Sequence, residues 1–333
     1  MTHCCTPYRE GKRLLTATVS PHDHGKVTVV AATDSRSTVE VDGRRLVLSN
    51  LDKVLYPDGF TKGEVVDYYA RIAPVLLPHI ADRPMSFQRF PDGTAAKGFF
   101  AKNAPKGTPD WVRTVTLPAP GSTKDRETLD YVIVGDLPTL IWAANLAALE
   151  LHVPQWTVGP RGAVRDPDRL VLDLDPGAPA TAVECAEVAL LLRDLLVADG
   201  LDPVIKSSGS KGLQLYAALQ PVSDRRSSGY AHDLAKRLEV LHPGLVVSQM
   251  RKDLRGGKVF VDWSQNNAAK TTVAPYALRA RPEPWVSTPL TWAEVEAVTR
   301  PEDVQFRAED TLARVAEQGD LLAPLRQPGG TLP

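Results

Sequence analysis

The chain has 333 residues, a length that suits one large domain or two modest ones. Hydrophobic residues make up 43% of it, and its formal net charge is −1. The near-neutral balance excludes a globally basic protein, so any contact with nucleic acid must come from a local patch. The three cysteines form neither a disulfide framework nor a zinc-binding spacing. With no apolar run near the roughly 20 residues of a membrane span and no secretory signal, a cytoplasmic protein is expected.

The first ordered structure is predicted near residue 39. Residues 1–38 combine cysteines, histidines, basic residues and a Ser/Thr-rich stretch, and are predicted to be a flexible N-terminal tail. Residues 39–48 then alternate in character around Asp42-Gly43, which indicates a β-hairpin.

A helix is predicted next, because Thr61 and Glu64 form a capping box that opens an apolar-periodic segment ending near Ile80. Residues 103–128 are rich in Pro, Gly and Thr and are predicted to be a loop. A second helix is expected over residues 138–151, with proline suited to its first turn.

The second half of the chain alternates between strand and helix patterns. A strand over residues 169–175 precedes a helix that a capping box at Thr181 and Glu184 opens. Further strands are expected near 203–207 and 213–218, with helices at about 227–241, after Thr291, and up to about Gln318. This alternation with one hairpin predicts a mixed α/β sheet with flanking helices and a smaller N-terminal α/β module.

These elements suggest two modules inside one compact domain. The predicted boundaries are a module over 39–160, a second over 161–320, a C-terminal tail over 321–333, and a single compact unit over 39–320.

Two acidic strands carry most of the chemical information. Residues i and i+2 of a strand share a face, so Asp173 and Asp175 should project together while Leu172 and Leu174 enter a core. Asp262 lies in a second strand. Carboxylates crowded on one face repel each other unless a hard divalent cation neutralises them, and this suits phosphoryl transfer. The alternative is a strand end with turn-forming aspartates.

Cationic segments accompany the carboxylates. Ser208-Gly-Ser-Lys-Gly212 joins two strands and could contact an anion, although a simple turn explains the same residues. The stretch from Met250 to Arg281 is rich in Arg and Lys, which suits a triphosphate beside a metal but is also typical of a solvated basic surface.

The N-terminal half offers further candidates. Asn50 and Lys53 precede Lys62 at a helix start, where a phosphate could bind. Phe99 and Phe100 lie among lysines, which suits stacking on bases, and a buried strand is the competing explanation. His152, near a tryptophan, is by itself more typical of a structural histidine.

Taken together and in this order, several segments resemble the polymerase domain of bacterial DNA ligase D, a branch of the archaeo-eukaryotic primase superfamily used in non-homologous end joining. The resemblance spans about residues 39–320. It rests on Leu48-Ser-Asn-Leu-Asp-Lys-Val-Leu-Tyr-Pro57, Ala148-Leu-Glu-Leu-His-Val-Pro-Gln-Trp156, Val171-Leu-Asp-Leu-Asp-Pro-Gly177, Ser207-Ser-Gly-Ser-Lys-Gly-Leu213, Gly257-Lys-Val-Phe-Val-Asp-Trp-Ser-Gln-Asn266 and Lys270-Thr-Thr-Val-Ala-Pro-Tyr276.

The resemblance implies a primase-like fold and a template-directed, primer-dependent nucleotidyltransferase that fills short gaps or processes broken DNA ends. It implies two Mn²⁺ or Mg²⁺ ions, a nucleoside triphosphate substrate with a preference for ribonucleotides, and a nucleoid-associated setting. The implied site residues are Asp173, Asp175 and Asp262 for catalysis and metals; His152, Ser210, Lys211, Arg255, Gln265 and Arg279 for the nucleotide; Asn50, Lys53 and Lys62 for a DNA 5′-phosphate; and Phe99, Phe100 and Arg89 for the template.

The chain departs from the family pattern at two positions. Gln214 stands where many relatives have histidine, so any charge from that histidine is missing. Gln88 stands where relatives often carry a basic residue. We expect activity to survive, because neither change affects the three carboxylates.

A Lys-x-Asp-Gly ligase signature is absent from the sequence. We therefore expect a stand-alone polymerase that works with a separate DNA ligase and an end-binding partner such as Ku. Two other functions fit some of the same residues. One is a DNA-end binding or bridging protein with little chemistry, and the other is a metal-dependent nuclease, which would leave Arg255 and Arg279 unexplained.

Overall fold

The computed structural model describes residues 27–32, 35–119 and 127–333, so most of the predicted N-terminal tail lies outside the described residues. The described chain contains fifteen strands and six α-helices. The strands are β1 Val27–Ala32, β2 Arg36–Val41, β3 Arg44–Ser49, β4 Pro84–Arg89, β5 Phe99–Ala101, β6 Thr114–Pro118, β7 Thr128–Ile133, β8 Ala148–Val153, β9 Arg169–Pro176, β10 Pro203–Ser207, β11 Leu213–Ala218, β12 Val246–Val247, β13 Val259–Asp262, β14 Thr272–Val273 and β15 Pro289–Leu290. The helices are α1 Lys62–Ile80, α2 Leu137–Asn145, α3 Ala182–Ala198, α4 Asp224–Leu241, α5 Trp292–Glu296 and α6 Ala308–Gln318.

A small antiparallel sheet opens the described chain. It has the order β1-β2-β3, and Asp42 and Gly43 form the β2–β3 turn with positive φ angles, as the hairpin signal predicts. The tail prediction was too long, because β1 begins at Val27 and β2 at Arg36.

The second sheet supports the candidate phosphate and template residues. Its order is β14-β8-β4-β7-β6, and β5 pairs with Phe87–Arg89 at the end of β4. Helix α1 begins with the predicted capping box, since the Glu64 carboxylate accepts from Thr61 N at 2.7 Å and Thr61 Oγ1 accepts from Glu64 N at 3.2 Å. Helices α1 and α2 pack with this sheet in a first core that includes Tyr69, Leu76 and Leu151.

The third sheet carries the acidic strands. Its order is β12-β13-β9-β11-β10-β15. Leu172 and Leu174 enter a second core with α3 and α4, as the strand period predicts, and Asp173 lies on the opposite face. The prediction of a mixed α/β fold with flanking helices is confirmed.

Two predicted elements were wrong. The helix expected over 138–151 ends at Asn145, because Ala147 adopts φ +54° and the chain continues as β8. An apolar run of this kind cannot distinguish a buried helix from a buried strand. The loop expected over 103–128 contains β6, whose Thr-Val-Thr-Leu-Pro sequence alternates between exposed and buried residues.

The predicted module boundary near residue 160 does not separate the two cores. Residues 273–278 return to the first core together with Ala308 and Leu312. The segment over 321–333 is not a loose tail either, since Leu322 and Leu332 are buried. Among the described helices, none combines the length and the apolar character that crossing a bilayer requires.

Candidate active site

Four side-chain positions form one row across the third sheet. Lys206 pairs in register with Gln214, Gln214 with Asp173, and Asp173 with Asp262, on strands β10, β11, β9 and β13. Lys206 is fully buried, and its Nζ donates to Gln214 Oε1 at 2.5 Å and to Ser287 Oγ at 2.5 Å. The row therefore runs from a buried lysine through an amide to two carboxylates.

The carboxylates repel each other. Burial and the charges of Asp175 and Asp262 together raise the pKa of Asp173 to about 7, against the lowering effect of the hydrogen bond from Gln214. Burial also raises the pKa of Asp175, and the charge of Asp262 adds to this effect. Such a cluster stores unfavourable electrostatic energy that a bound cation would relieve.

Asp262 is held by its own neighbours. Its Oδ1 accepts from Ser264 N at 3.0 Å and from Ser264 Oγ at 2.6 Å, and its Oδ2 accepts from Gln265 Nε2 at 2.7 Å. In the part of the chain that the structure describes, no three His, Cys, Asp or Glu side chains already converge as metal ligands. The three aspartates nevertheless supply only hard oxygen donors on two adjacent strands, which fits Mg²⁺ or Mn²⁺, and mutual repulsion opposes closer approach without a cation.

The Ser208–Gly212 segment is a tight turn between β10 and β11. Ser208 Oγ accepts from Ser210 N and from Gly212 N, each at 3.2 Å, so these two amides are not free for an anion. A Cβ at Gly212 would lie 1.9 Å from Leu174 O, which requires glycine there. Lys211 is exposed in the turn, so an anion would be bound by its side chain rather than by a nest of amides.

Glu150 joins two of the predicted nucleotide residues, and the sequence analysis missed it. Its Oε2 lies 2.9 Å from His152 Nε2, and its Oε1 lies 3.2 Å from Arg279 Nε. Arg279 Nη1 also donates to Ser208 O at 2.6 Å, which ties it to the β10–β11 turn. The alternation of Glu150 and His152 on β8 was a usable signal, but the wrong assignment put Glu150 in a helix and His152 just beyond its end.

The remaining nucleotide candidates lie around the same face. Arg255 packs on Phe260, with its guanidinium carbon 3.7 Å from the ring centroid, and its Nη2 donates to Met250 O at 2.7 Å. The charge of Arg255 also opposes the rise in the pKa of Asp175. Arg281, a residue outside the predicted site, contacts the hydroxyl of Ser210.

The structure brings Lys53, Lys62 and Arg89 close enough for their charges to interact. Burial and, to a smaller extent, the charges of Lys53 and Arg89 together lower the pKa of Lys62 to about 8. Lys62 Nζ donates to Ser49 O at 2.7 Å, and Lys53 pairs with Asp92 at 3.1 Å. A bound anion would relieve the mutual repulsion of these cations and favour the charged form of Lys62.

The backbone does not support this cluster as predicted. The amides of Lys62, Gly63 and Glu64 donate to Lys53 O, Leu51 O and Thr61 Oγ1, so the helix start offers no free N–H groups there. Asn50, which adopts φ +53°, precedes this turn. Any phosphate would therefore be bound by side chains.

The aromatic pair is exposed, which rules out the alternative of a buried strand. Phe99 and Phe100 are 47% and 58% exposed on β5. They line a cleft of about 870 Å³ together with Arg89, Tyr131 and Trp156. Arg89 lies over the Phe99 ring at 5.3 Å. Gln88 pairs in register with Phe100 on one side and Glu150 on the other, so this departure lies between the cleft and the Glu150 network.

The profile of the LigD primase-polymerase domain matches residues 61–322. The chain belongs to this family. It is 45% identical over 285 residues to the multifunctional non-homologous end joining protein LigD of Mycolicibacterium smegmatis, covering 84% of this chain and 36% of that protein. It is 29% identical over 278 residues to the bifunctional non-homologous end joining protein LigD of Bacillus subtilis, covering 83% of this chain and 43% of that protein.

The fold agrees with this assignment. The polymerase domain from Mycobacterium tuberculosis ligase D in complex with DNA matches with a TM-score of 0.79 and 45% identity, covering 84% of this chain and 98% of that one. The chain thus covers nearly all of that polymerase-domain structure but less than half the length of the curated LigD proteins it matches. Nucleotidyl transfer is the chemistry of such a domain.

Proposed function

We propose that this protein is a template-directed, primer-dependent polymerase that fills short gaps or processes broken DNA ends in non-homologous end joining. The observation that carries the proposal is the in-register row of Asp262 and Asp173, with Asp175 on the same strand face. Crowded carboxylates with Arg255 near Asp175 suit a metal-bound triphosphate, which carries more negative charge than the metals neutralise.

Asp173, Asp175 and Asp262 would hold two Mn²⁺ or Mg²⁺ ions. Bound there, the ions would lower the pKa of a primer 3′-hydroxyl and neutralise charge on the triphosphate. Gln214, with Lys206 behind it, holds Asp173 from one side. Ser264 and Gln265 hold Asp262 from the other. These neighbours fix where the carboxylate oxygens can lie before a ligand arrives.

The triphosphate would lie against His152, Arg279, Ser210 and Lys211, with Arg255 close enough to Asp175 for their charges to interact. A preference for ribonucleotides is part of the proposal. Gln265 is the candidate for a contact to the 2′-hydroxyl, although its amide donates to Asp262 in this structure.

The N-terminal half would hold the DNA. Lys53, Lys62 and Asn50 would bind the 5′-phosphate on the far side of a gap. Phe99 and Phe100, with Arg89, would stack against the template strand that enters the cleft. An exposed aromatic pair beside cations is the usual platform for unpaired bases. Ku and a separate DNA ligase are proposed partners, and the nucleoid is the proposed location.

Extension of a labelled primer across a short gap tests this function. The assay compares ribo- with deoxynucleoside triphosphates in Mn²⁺, and a downstream 5′-phosphate with a 5′-hydroxyl. We expect templated extension that the 5′-phosphate favours and that Asp173→Ala abolishes. Extension that survives Asp173→Ala would show that the metal site is misassigned.

A second candidate function is DNA-end binding or bridging with little polymerase activity. The close cations Lys53, Lys62 and Arg89 favour it, because they could bind a phosphate without any chemistry. Its signature would be tight binding to recessed 5′-phosphorylated ends with no incorporation at any Mn²⁺ concentration. Primer shortening without a triphosphate would instead indicate the nuclease.

A further inference from the structure

Glu150 is a buried carboxylate that divides its two oxygens between different elements. It is 4% exposed on β8. Oε2 accepts from His152 Nε2, two residues along the same strand, at 2.9 Å. Oε1 accepts from Ala280 N at 2.9 Å and pairs with Arg279 at 3.2 Å, where the Arg279 Nε–H is not aligned for a hydrogen bond.

Burying a carboxylate is unfavourable unless cations and hydrogen bonds compensate it. Burial alone would raise the pKa of Glu150, but the hydrogen bond with His152 and the charge of Arg279 outweigh it and leave the pKa at about 2. Glu150 therefore stays negatively charged at neutral pH. Its carboxylate contacts both His152 and Arg279.

The two partners reach the site from separate parts of the fold. His152 is on β8, and its ring contacts Phe100 edge-on at 5.6 Å between centroids. Arg279 follows β14 and is fixed to the β10–β11 turn through Ser208 O. Glu150 contacts both side chains and so fixes the position of His152 relative to Arg279.

We propose that Glu150 is a positioning residue for the incoming nucleoside triphosphate and acts through His152 and Arg279. This inference rests on the proposed function. With Nε2–H donated to Glu150, Nδ1 is the imidazole nitrogen left for a ligand. With its Nε edge against Glu150 and Nη1 on Ser208, Arg279 presents Nη2, which makes no hydrogen bond within the described residues.

Glu150→Gln removes the charge and keeps the shape of the side chain. We expect the KM for the nucleoside triphosphate to rise about tenfold, with kcat changed less than threefold and the Kd for gapped DNA unchanged. The matched control is Glu294→Gln, since Glu294 also pairs with an arginine, Arg314, but contacts none of the candidate site residues. The control should lower the Tm and leave the KM for the triphosphate unchanged.

A double-mutant cycle separates positioning from a general loss of packing. We expect the effect of Glu150→Gln on KM to shrink at least threefold in a His152→Ala or Arg279→Ala background. The proposal would be overturned if Glu150→Gln raised KM by the same factor in both backgrounds as in the wild type. A KM within twofold of the wild-type value for Glu150→Gln would also overturn it.

An equilibrium binding measurement tests the role of Glu150 independently of polymerase activity. A labelled, non-hydrolysable nucleoside triphosphate with Mn²⁺ is titrated into wild-type protein and Glu150→Gln without turnover. Absence of incorporation by the wild-type protein would overturn the polymerase function alone. Equal Kd values for the two proteins would overturn the role of Glu150, and weaker binding by the variant would support it.

Discussion

Lys206 and Gln214 form a buried hydrogen bond, 2.5 Å from Nζ to Oε1, one strand away from Asp173. Burial lowers the pKa of Lys206 well below its ordinary range, while the charge of Asp173 opposes that shift. Lys206 and Asp173 therefore each favour the charged form of the other across the Gln214 amide, although burial opposes the charge on Lys206. Gln214 itself can carry no charge, as expected from the sequence, but Lys206 lies directly behind it.

Lys206→Met should raise the Mn²⁺ concentration needed for half-maximal activity about tenfold. The reason is that Asp173 loses a group that favours its charged form, and metal must then compete with a more tightly held proton. Titration of Mn²⁺ in the gap-filling assay measures the change. Thermal denaturation provides the control, because replacing a buried lysine with an apolar side chain of similar length should leave Tm near or above that of the wild type. An unchanged Mn²⁺ requirement would show that Lys206 is only a packing residue.

Asp173→Asn should abolish incorporation and stabilise the metal-free protein by ~1–2 kcal/mol near neutral pH. The pKa of Asp173 is raised to about 7, above the unfolded value of about 3.9. Between these values the folded state holds a proton that the unfolded state has lost, so wild-type stability falls as pH rises through this window. Urea denaturation in EDTA at pH 5.5 and 7.5 should show that fall in the wild type and a smaller one in Asp173→Asn. Added Mn²⁺ should stabilise only the wild type.

The preference for a downstream 5′-phosphate should weaken above pH 8. The pKa of Lys62 is lowered to about 8, so the free protein loses this charge as pH rises, and phosphate binding must then restore the proton. We expect the ratio of Kd values for 5′-hydroxyl and 5′-phosphate DNA to be highest near pH 7 and to fall by up to roughly tenfold per unit above pH 8. Fluorescence anisotropy at fixed ionic strength measures it. Lys62→Met should abolish the preference, and Lys236→Met, an exposed lysine on α4, should retain it.

Gly209→Ala should lower stability by ~1–2 kcal/mol and raise the KM for the triphosphate. Gly209 has φ +62°, and a Cβ there would lie 2.6 Å from Arg279 Cγ and 2.8 Å from Val286 C. The strain would therefore displace a nucleotide candidate. Gly244→Ala is the matched control, because a Cβ there meets nothing within 4 Å and the backbone is not left-handed. Equal effects from the two variants would contradict the assignment of Arg279.

Phe99→Ala and Phe100→Ala should each weaken binding to DNA with an unpaired template by ~1–3 kcal/mol. Their exposure means that the loss is one of stacking rather than of core packing, so Tm should change little. Val240→Ala, at a side chain 79% exposed on α4, controls for the loss of exposed apolar surface. Weaker binding by the control variant as well would indicate a non-specific effect.

Local patterns predicted the elements that position the carboxylates. The strand period placed Leu172 in the core and Asp173 opposite it, and the capping boxes at Thr61 and Thr181 marked the starts of α1 and α3. These signals succeed because capping and alternation depend on neighbouring residues alone.

Long-range relationships were beyond the sequence. Glu150 looked like one more residue of an apolar helix, and only the pairing of β8 with β4 and β14 shows that it faces Arg279, which lies far along the chain. The burial of Lys206 was equally hidden, since a lysine before a turn normally points to solvent. Only the tertiary fold supplies Gln214 and Ser287 as its partners.

The return of residues 273–278 to the first core has a consequence for how the chain could be divided. The carboxylates belong to the sheet of the second core, whereas His152 belongs to the first, and Arg279 follows the segment that crosses between them. A cut near residue 160 would place His152 and Arg279, two of the proposed nucleotide-binding residues, on different fragments. Co-expressed fragments would bind the nucleotide only after docking through this crossing segment. Complementation between the fragments would therefore report on assembly of the two cores.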